Sequence, residues 1–210
     1  IFVVTFFGIL TFAFADYSKI VKCQEHEPMS HFKTKDFLKG NWYVTNAKQG
    51  SNSTVCRRYK TSLKGNTIQL NGDGYYTFKN QSIFFRVRCS GQSGPPSESG
   101  HKCGKFSLKC KQTTKKTGIP AFEFDLEVTV LETDYNKFAV MYRCVTLPPE
   151  LGSQIEDNVL VLHRDSGNTN DPDPRISETL NQHSWNLDDF RSNKDVVCPK
   201  PPKKNKKGKN

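Results

Sequence analysis

Between positions 122 and 130 apolar and polar residues alternate strictly: Phe122, Phe124, Leu126, Val128 and Val130 are separated by Glu123, Asp125, Glu127 and Thr129. A period of two places the apolar set on one face of a β-strand and the charged set on the other, with water on one side. Similar runs cover residues 42–47, 54–63, 66–78, 81–89, 104–111, 121–131, 136–145 and 158–164. Hairpin-length turns such as Lys64-Gly65 and Lys79-Asn80 join several of them, so neighbours in sequence are expected to pair antiparallel. Eight such strands predict an all-β fold, an eight-stranded up-and-down antiparallel barrel, because closure removes both sheet edges. A two-sheet sandwich would satisfy the same strand count.

After the eighth run the pattern changes. Residues 168–174 are rich in Pro, Asp and Asn and read as a linker. Ile176, Leu180 and His183 then recur at i, i+4 and i+7, which predicts a C-terminal helix lying with one face on the barrel, extended by Trp185, Leu187 and Phe190. Residues 199–210 hold six Lys and no apolar anchor, and are expected to be a disordered tail.

Charge and cysteine content refine this picture. With 31 Lys+Arg against 21 Asp+Glu the formal net charge is +10, and the tail carries six of those charges. Such a tail attracts anionic surfaces, whereas a nucleic-acid partner would call for a basic groove studded with aromatics, so nucleic acid is not expected. The apolar run 1–15 contains no charge and ends Ala13-Phe14-Ala15, the small-x-small pattern before a signal-peptidase cut. It is read as part of a signal peptide, with the mature domain spanning 16–198, secreted and monomeric. No stretch reaches the roughly 18 apolar residues of a membrane span. The seven cysteines (Cys23, Cys56, Cys89, Cys103, Cys110, Cys144 and Cys198) all follow the run, and none form Cys-x-x-Cys. An oxidising compartment then favours three disulfides and one leftover thiol. Asn52-Ser53-Thr54 and Asn80-Gln81-Ser82 fit the N-glycosylation acceptor.

Three short motifs stand in a telling order around the eight runs. Gly40-Asn41-Trp42 opens the first, Thr133-Asp134-Tyr135 lies between the sixth and seventh, and Arg164 follows the eighth. Together they resemble the signature of lipocalins, in which the Trp ring closes one barrel end and the Arg packs across it. Further matches at Cys23-Gln24 with His26, Trp42-Tyr43-Val44-Thr45, Ser53-Thr54-Val55-Cys56, Asp73-Gly74-Tyr75-Tyr76, Tyr142-Arg143-Cys144 and Cys198 resemble the salivary lipocalins of blood-feeding triatomine bugs. Within that triabin/nitrophorin group they are most similar to the pallidipin-like platelet aggregation inhibitors. The resemblance implies disulfides Cys23–Cys144 and Cys56–Cys198. For Cys89, hairpin register favours Cys103 and the resemblance implies Cys110; following the latter leaves Cys103 as the spare thiol.

Residue content speaks against an enzyme: there is no His-Glu-x-x-His, no Walker loop, and Gly91-Gln92-Ser93-Gly94-Pro95 misses the nucleophile elbow at its last position. No metal site or cofactor is expected. The nitrophorins of the resembled group carry haem on a strand His, and the corresponding stretch here, Asp73-Gly74-Tyr75-Tyr76-Thr77, has none. What remains is the cavity. Alternation nominates Tyr43 (or Val44), Tyr59, Tyr75 (or Tyr76), Phe85, Phe106, Leu108, Phe124, Leu126, Val128, Val140 and Tyr142 as inward, with Arg86 as one of several strand arginines (Arg57, Arg58, Arg88 and Arg143 being the others) able to clamp a carboxylate. The strand acids Glu123, Asp125 and Glu127 fall on the outward parity, which favours an anionic over a cationic guest. The expected function is sequestration of a small amphipathic agonist such as an eicosanoid, impairing host haemostasis through platelet aggregation. A surface-acting inhibitor of a clotting protease such as thrombin, disfavoured by net positive charge against thrombin's basic exosite, and a biogenic-amine binder are the alternatives.

Overall fold

Alternation along most of the strands gives the sheet one apolar face, and the sheet closes around it. The computed structural model describes residues 20–78, 81–93, 104–167 and 173–202. Eight strands follow one another: β1 Gly40–Ala47, β2 Arg58–Lys64, β3 Thr67–Phe78, β4 Gln81–Gln92, β5 Lys105–Thr114, β6 Phe122–Thr133, β7 Phe138–Thr146 and β8 Ile155–His163. Each pairs antiparallel with the next, and β1 pairs with both β2 and β8, so the sheet closes into the expected up-and-down barrel. A two-residue strand, β9 Arg191–Ser192, adds to Asn46 and Ala47 at the end of β1. The signal-like run, the 168–172 stretch of the linker, Asn80, Cys103 and residues 203–210 of the tail lie outside the described residues.

Several strand boundaries differ from the pattern-based reading, β4 and β5 each running three residues further, and two of the differences bear on the site. The expected strand from Thr54 begins only at Arg58, because residues 52–56 form turns in which Thr54 N–H donates to Ser51 O and Arg57 N–H donates to Thr54 O. In the other direction, β8 starts three residues early, at Ile155, where Glu156 pairs with Val145 and Asp157 with Cys144.

One end of the barrel is sealed. Trp42 is almost wholly buried and its indole N–H donates to Phe37 O (2.9 Å), on the four-residue helix α1 Thr34–Phe37 that crosses this end. The Arg164 guanidinium lies 3.5 Å from the Trp42 ring centroid and donates to the carbonyls of Asn41, Asp36, Phe37, Lys39 and Tyr135. Burial lowers its pKa to about 10, so it stays cationic at neutral pH. Thr133-Asp134-Tyr135 forms the turn beneath: the Asp134 carboxylate accepts from the N–H groups of Asn136, Lys137 and Phe138, while Tyr135 takes a left-handed φ of 67°. The three motif segments therefore meet at the sealed end.

Beyond β8, the helix α2 Pro174–Gln182 begins with Pro174 after Asp173, whose side chain accepts from Arg175 N–H. It buries Ile176 and Leu180 against the outer face of β6 and β7, and Trp185, Leu187 and Phe190 carry the cover on over β7 and β8. The N-terminal segment covers the same outer face, tethered by the Cys23–Cys144 disulfide. These two strands are thus buried on both sides, and their sequences read as nearly continuous apolar runs.

Candidate ligand-binding cavity

Register assigns every strand residue to a face. Opposed pairs Tyr59–Gly72, Gly72–Val87, Cys89–Cys110, Cys110–Phe124, Leu126–Val145 and Arg143–Asn158 run round the inside of the barrel. Towards the sealed end this interior is solid: Phe106, Leu108, Val128, Val130, Met141 and Leu160 pack with Trp42 and Val44. The disulfide Cys89–Cys110 links directly opposed residues inside the barrel, and Cys56–Cys198 ties the C-terminal segment to the start of β2.

Towards the other end the packing opens into a cavity of about 70 Å³. On the scale where one enclosed water occupies about 10–15 Å³, that is room for about five waters. Apolar walls come from Leu70, Val87, Leu126 and Val145, and half-buried Tyr59, Tyr76, Phe122 and Phe124 stand around the mouth. Gly72 shapes one wall: a Cβ there would sit 3.1 Å from Tyr59 Cε1, so the missing side chain lets the Tyr59 ring lie across β3.

Three buried ionisable groups, Arg57, Arg143 and Glu156, lie in its lining, together with Gln112 and the partly exposed Asp73. Arg143 on β7 faces Glu156 on β8 with Nη1 to Oε1 at 3.6 Å, and Arg57, just before β2, packs its guanidinium 4.3 Å from the Tyr76 ring centroid. All three residues are less than a tenth exposed. Burial raises the Glu156 pKa, and the Arg143 and Arg57 charges draw it back down. Glu156 Oε2 has no hydrogen-bond partner within the protein, so one lone-pair edge of the carboxylate is left for a guest or water. Among the buried groups two guanidinium groups face one carboxylate, a net positive charge, because the second acid in the lining, Asp73, is paired with Arg88.

Several expected pocket residues lie elsewhere. Tyr59, Phe124 and Leu126 line the cavity; Phe106, Leu108 and Val128 fill the closed end; Phe85 is inward beside Tyr76, their rings 5.4 Å apart. Tyr43, Tyr75 and Arg86 point outward, because their strands place Val44, Tyr76, Phe85 and Val87 on the inner parity. Val140 and Tyr142 also face outward, and are buried there by α2 and the N-terminal segment rather than by the barrel. The Tyr142 hydroxyl donates to Asp157 Oδ2 (3.1 Å) and accepts from Gln24 N–H (2.8 Å), and burial pushes its pKa up. Of the strand arginines, Arg57 and Arg143 reach the cavity while Arg58, Arg86 and Arg88 do not. Glu123, Asp125 and Glu127 do face outward, paired with Lys111, Lys109 and Lys105. Glu156 is an inward acid that lies just outside the expected run 158–164. The histidines with a described place, His26, His163 and His183 among them, lie outside the barrel interior, and no group of three or more metal-ligating side chains occurs among the described residues.

Residues 16–180 match the family model described as Triabin. The chain belongs to the Triabin family. Triafestin-2 from Triatoma infestans is 48% identical over 98% of this chain and 97% of its own length, and Triafestin-1 from the same species is 47% identical. Pallidipin from Meccus pallidipennis, representing the subgroup that the motifs suggested, is 29% identical over 92% of this chain and 94% of its own. Among solved structures, a mutant of LTBP1 in complex with leukotriene C4 is 28% identical, with a TM-score of 0.52 over 82% of this chain and 92% of that one. The amine binding protein of Rhodnius prolixus, in complex with tryptamine, has a TM-score of 0.64 at 18% identity over 83% and 87% of the two chains, a likeness of fold alone. The Triabin-family chain is therefore a lipocalin barrel, as its three motifs imply.

Proposed function

We propose that this Triabin-family protein is a secreted carrier that takes one small amphipathic anion into the open end of its barrel and, by lowering the free concentration of that agonist, impairs platelet aggregation. The observation that carries the reading is the buried Arg57–Arg143–Glu156 group at the edge of an apolar cavity. Its net positive charge suits a carboxylate, which two guanidinium groups hold with charge-assisted hydrogen bonds where water competes weakly. The size of the cavity sets the mode. About 70 Å³ takes a polar head and its first few carbons; a longer chain leaves through the mouth along Tyr76, Phe122 and Phe124. The leukotriene C4 complex of a 28% identical relative supports an eicosanoid as the ligand class.

A second reading rests on Glu156. An inward carboxylate with one open edge suits an ammonium group, so a biogenic amine is the alternative guest, opposed by the two neighbouring cations. Titration calorimetry with leukotriene C4, a thromboxane analogue, serotonin and ADP separates the two. The proposal expects one eicosanoid per chain at a Kd of about 1 µM or tighter, near −8 kcal/mol, with no heat from serotonin. Serotonin binding without eicosanoid binding would replace it by the amine reading, and silence towards all four would remove scavenging altogether.

A further inference from the structure

The barrel's outer wall offers more open space than its interior. Two recesses lie side by side on it. One, of about 450 Å³, is walled by Tyr43, Arg58, Tyr75 and Phe84 on one side and by the C-terminal segment from Asn193 to Pro201 on the other, and it also touches Arg57 and Asp73, which line the interior cavity as well. The next, of about 350 Å³, runs from Phe84 and Arg86 to Lys115 and Lys116 beyond the end of β5. Phe84 belongs to both, so the two are continuous across β4, and its ring meets Tyr75 edge-on at 5.1 Å.

The charges along this track are one-sided. Arg58, Arg86, Lys115, Lys116 and Lys194 border the recesses, whereas Asp73 is the acid there and is already tied to Arg88. Strand register sets the spacing: Arg58 stands opposite Asp73 and Asp73 opposite Arg86, so the two arginines are two strands apart, about 10 Å. In the next row Lys60 and Arg88 repeat the interval on either side of Asn71. Besides the Tyr75 and Phe84 rings, the same face carries the hydrogen-bonding side chains of Ser62, Gln69, Asn71 and Ser90.

The C-terminal segment is held at the same place. Cys198 is bonded to Cys56, and the Tyr75 hydroxyl donates to Lys200 O (3.1 Å), so the chain is pinned against this face as it reaches Pro201 and Pro202. The sequence that follows holds Lys203, Lys204, Lys206, Lys207 and Lys209. A folded cationic track and the origin of a Lys-rich segment thus coincide.

We propose that this outer face, from the C-terminal segment across β2, β3 and β4 to Lys115 and Lys116, binds a sulfated polysaccharide. Its cations recur at the intervals of strand geometry, as sulfate groups recur along a glycan chain, and Arg forks bind such oxyanions bidentately. Tyr75 and Phe84 in the floor give the apolar faces of pyranose rings a surface to stack on, and the Ser, Gln and Asn side chains match sugar hydroxyls. A phospholipid surface is the poorer fit, because a membrane-surface element presents large apolar side chains to the acyl region. Among the described residues, the large hydrophobics exposed in that way are Val21 and Val197, two lone valines.

The test is surface plasmon resonance at physiological salt with three probes: a heparin-derived octasaccharide, the same octasaccharide chemically desulfated, and vesicles of phosphatidylserine with phosphatidylcholine. Four proteins are compared: the parent, the exposed-face variant Arg58→Ser/Arg86→Ser/Lys115→Ser, a chain ending at Pro202, and the two changes combined. Circular dichroism and thermal melting confirm that each is folded. We expect the parent to bind the sulfated octasaccharide at least tenfold tighter than the desulfated one or the vesicles. The face variant should lose at least tenfold in affinity and show a shallower dependence on salt, as counter-ion release at fewer contacts requires. Equal binding of the desulfated sugar, stronger binding of the vesicles, or a face variant that matches the parent while only the shortened chain loses affinity would each overturn the proposal.

Discussion

Replacing Arg164 by Ala removes the one side chain that joins all three motif segments at the sealed end. The guanidinium donates to five main-chain carbonyls and lies 3.5 Å from the Trp42 ring centroid. A hydrogen bond to a charged group contributes about 1.5–3 kcal/mol. The residue is half-buried, so water re-solvates part of the set after truncation, and counting about one such bond in full is the conservative choice. Adding about 0.5–1 kcal/mol for the cation–π contact gives a loss of about 2–4 kcal/mol. With a urea m-value of about 2 kcal/mol/M, the unfolding midpoint should fall by about 1–2 M. Arg164→Lys sharpens the test, because it keeps the charge and discards the planar fork; it should recover less than half of the loss. Midpoints read by intrinsic fluorescence and far-ultraviolet circular dichroism should coincide. An Ala variant within about 0.5 kcal/mol of the parent, or a Lys variant as stable as the parent, would refute this role.

Two other features give stability predictions. His26 packs edge-on against Tyr142, His183 and Trp185, and burial, followed by the His183 charge, lowers its pKa. The unfolded chain therefore binds more protons than the folded one once pH falls to about 6.5 and below, and this group's contribution to stability declines in that window. Differential scanning calorimetry from pH 7.5 to about 5 should show a melting temperature that falls by about 2–4 °C more in the parent than in His26→Phe, which keeps the ring contacts; parallel curves would contradict it. Cys89→Ser/Cys110→Ser opens a bridge that spans 21 positions and, on the chain-entropy model, should cost about 3 kcal/mol in urea unfolding, less than the about 5 kcal/mol for Cys56–Cys198, which spans 142. An equal or reversed order would show that the interior bridge stabilises by packing instead.

The order of strands and the closure were legible because most strands have one wet face. On β6 charged residues punctuate the apolar set, and parity alone puts Phe124, Leu126 and Val128 inside. Parity is silent for β7 and β8, where both faces are buried. Val140 and Tyr142 look like lining because nothing in the alternation reveals that α2 and the N-terminal segment cover the outside. On β1 the choice between Tyr43 and Val44 turns on register to β2 and β8, complicated by the bulge between Val44 and Asn46. Glu156 escaped because it follows the Pro- and Gly-bearing turn at 147–153 and reads as loop. Its signal was the alternation Glu156, Asn158, Leu160, Leu162 extended two residues towards the N-terminus, which places a carboxylate beside Arg143. The two interior cations were visible as strand arginines, but only the assembled barrel separates Arg57 and Arg143 from Arg58, Arg86 and Arg88.

The ligand is proposed to sit inside the open end of the barrel. Native mass spectrometry of the parent, Arg143→Met and Val145→Trp, each incubated with leukotriene C4, tests it most directly. Arg143→Met removes a cation from the cavity wall, and Val145→Trp fills the space with an indole at an overpacking cost of about 1–3 kcal/mol. One bound ligand per parent chain and none on either variant are expected, with both variants folded by circular dichroism. Undiminished occupancy of the plugged Val145→Trp barrel would contradict it and place the ligand on the outer wall.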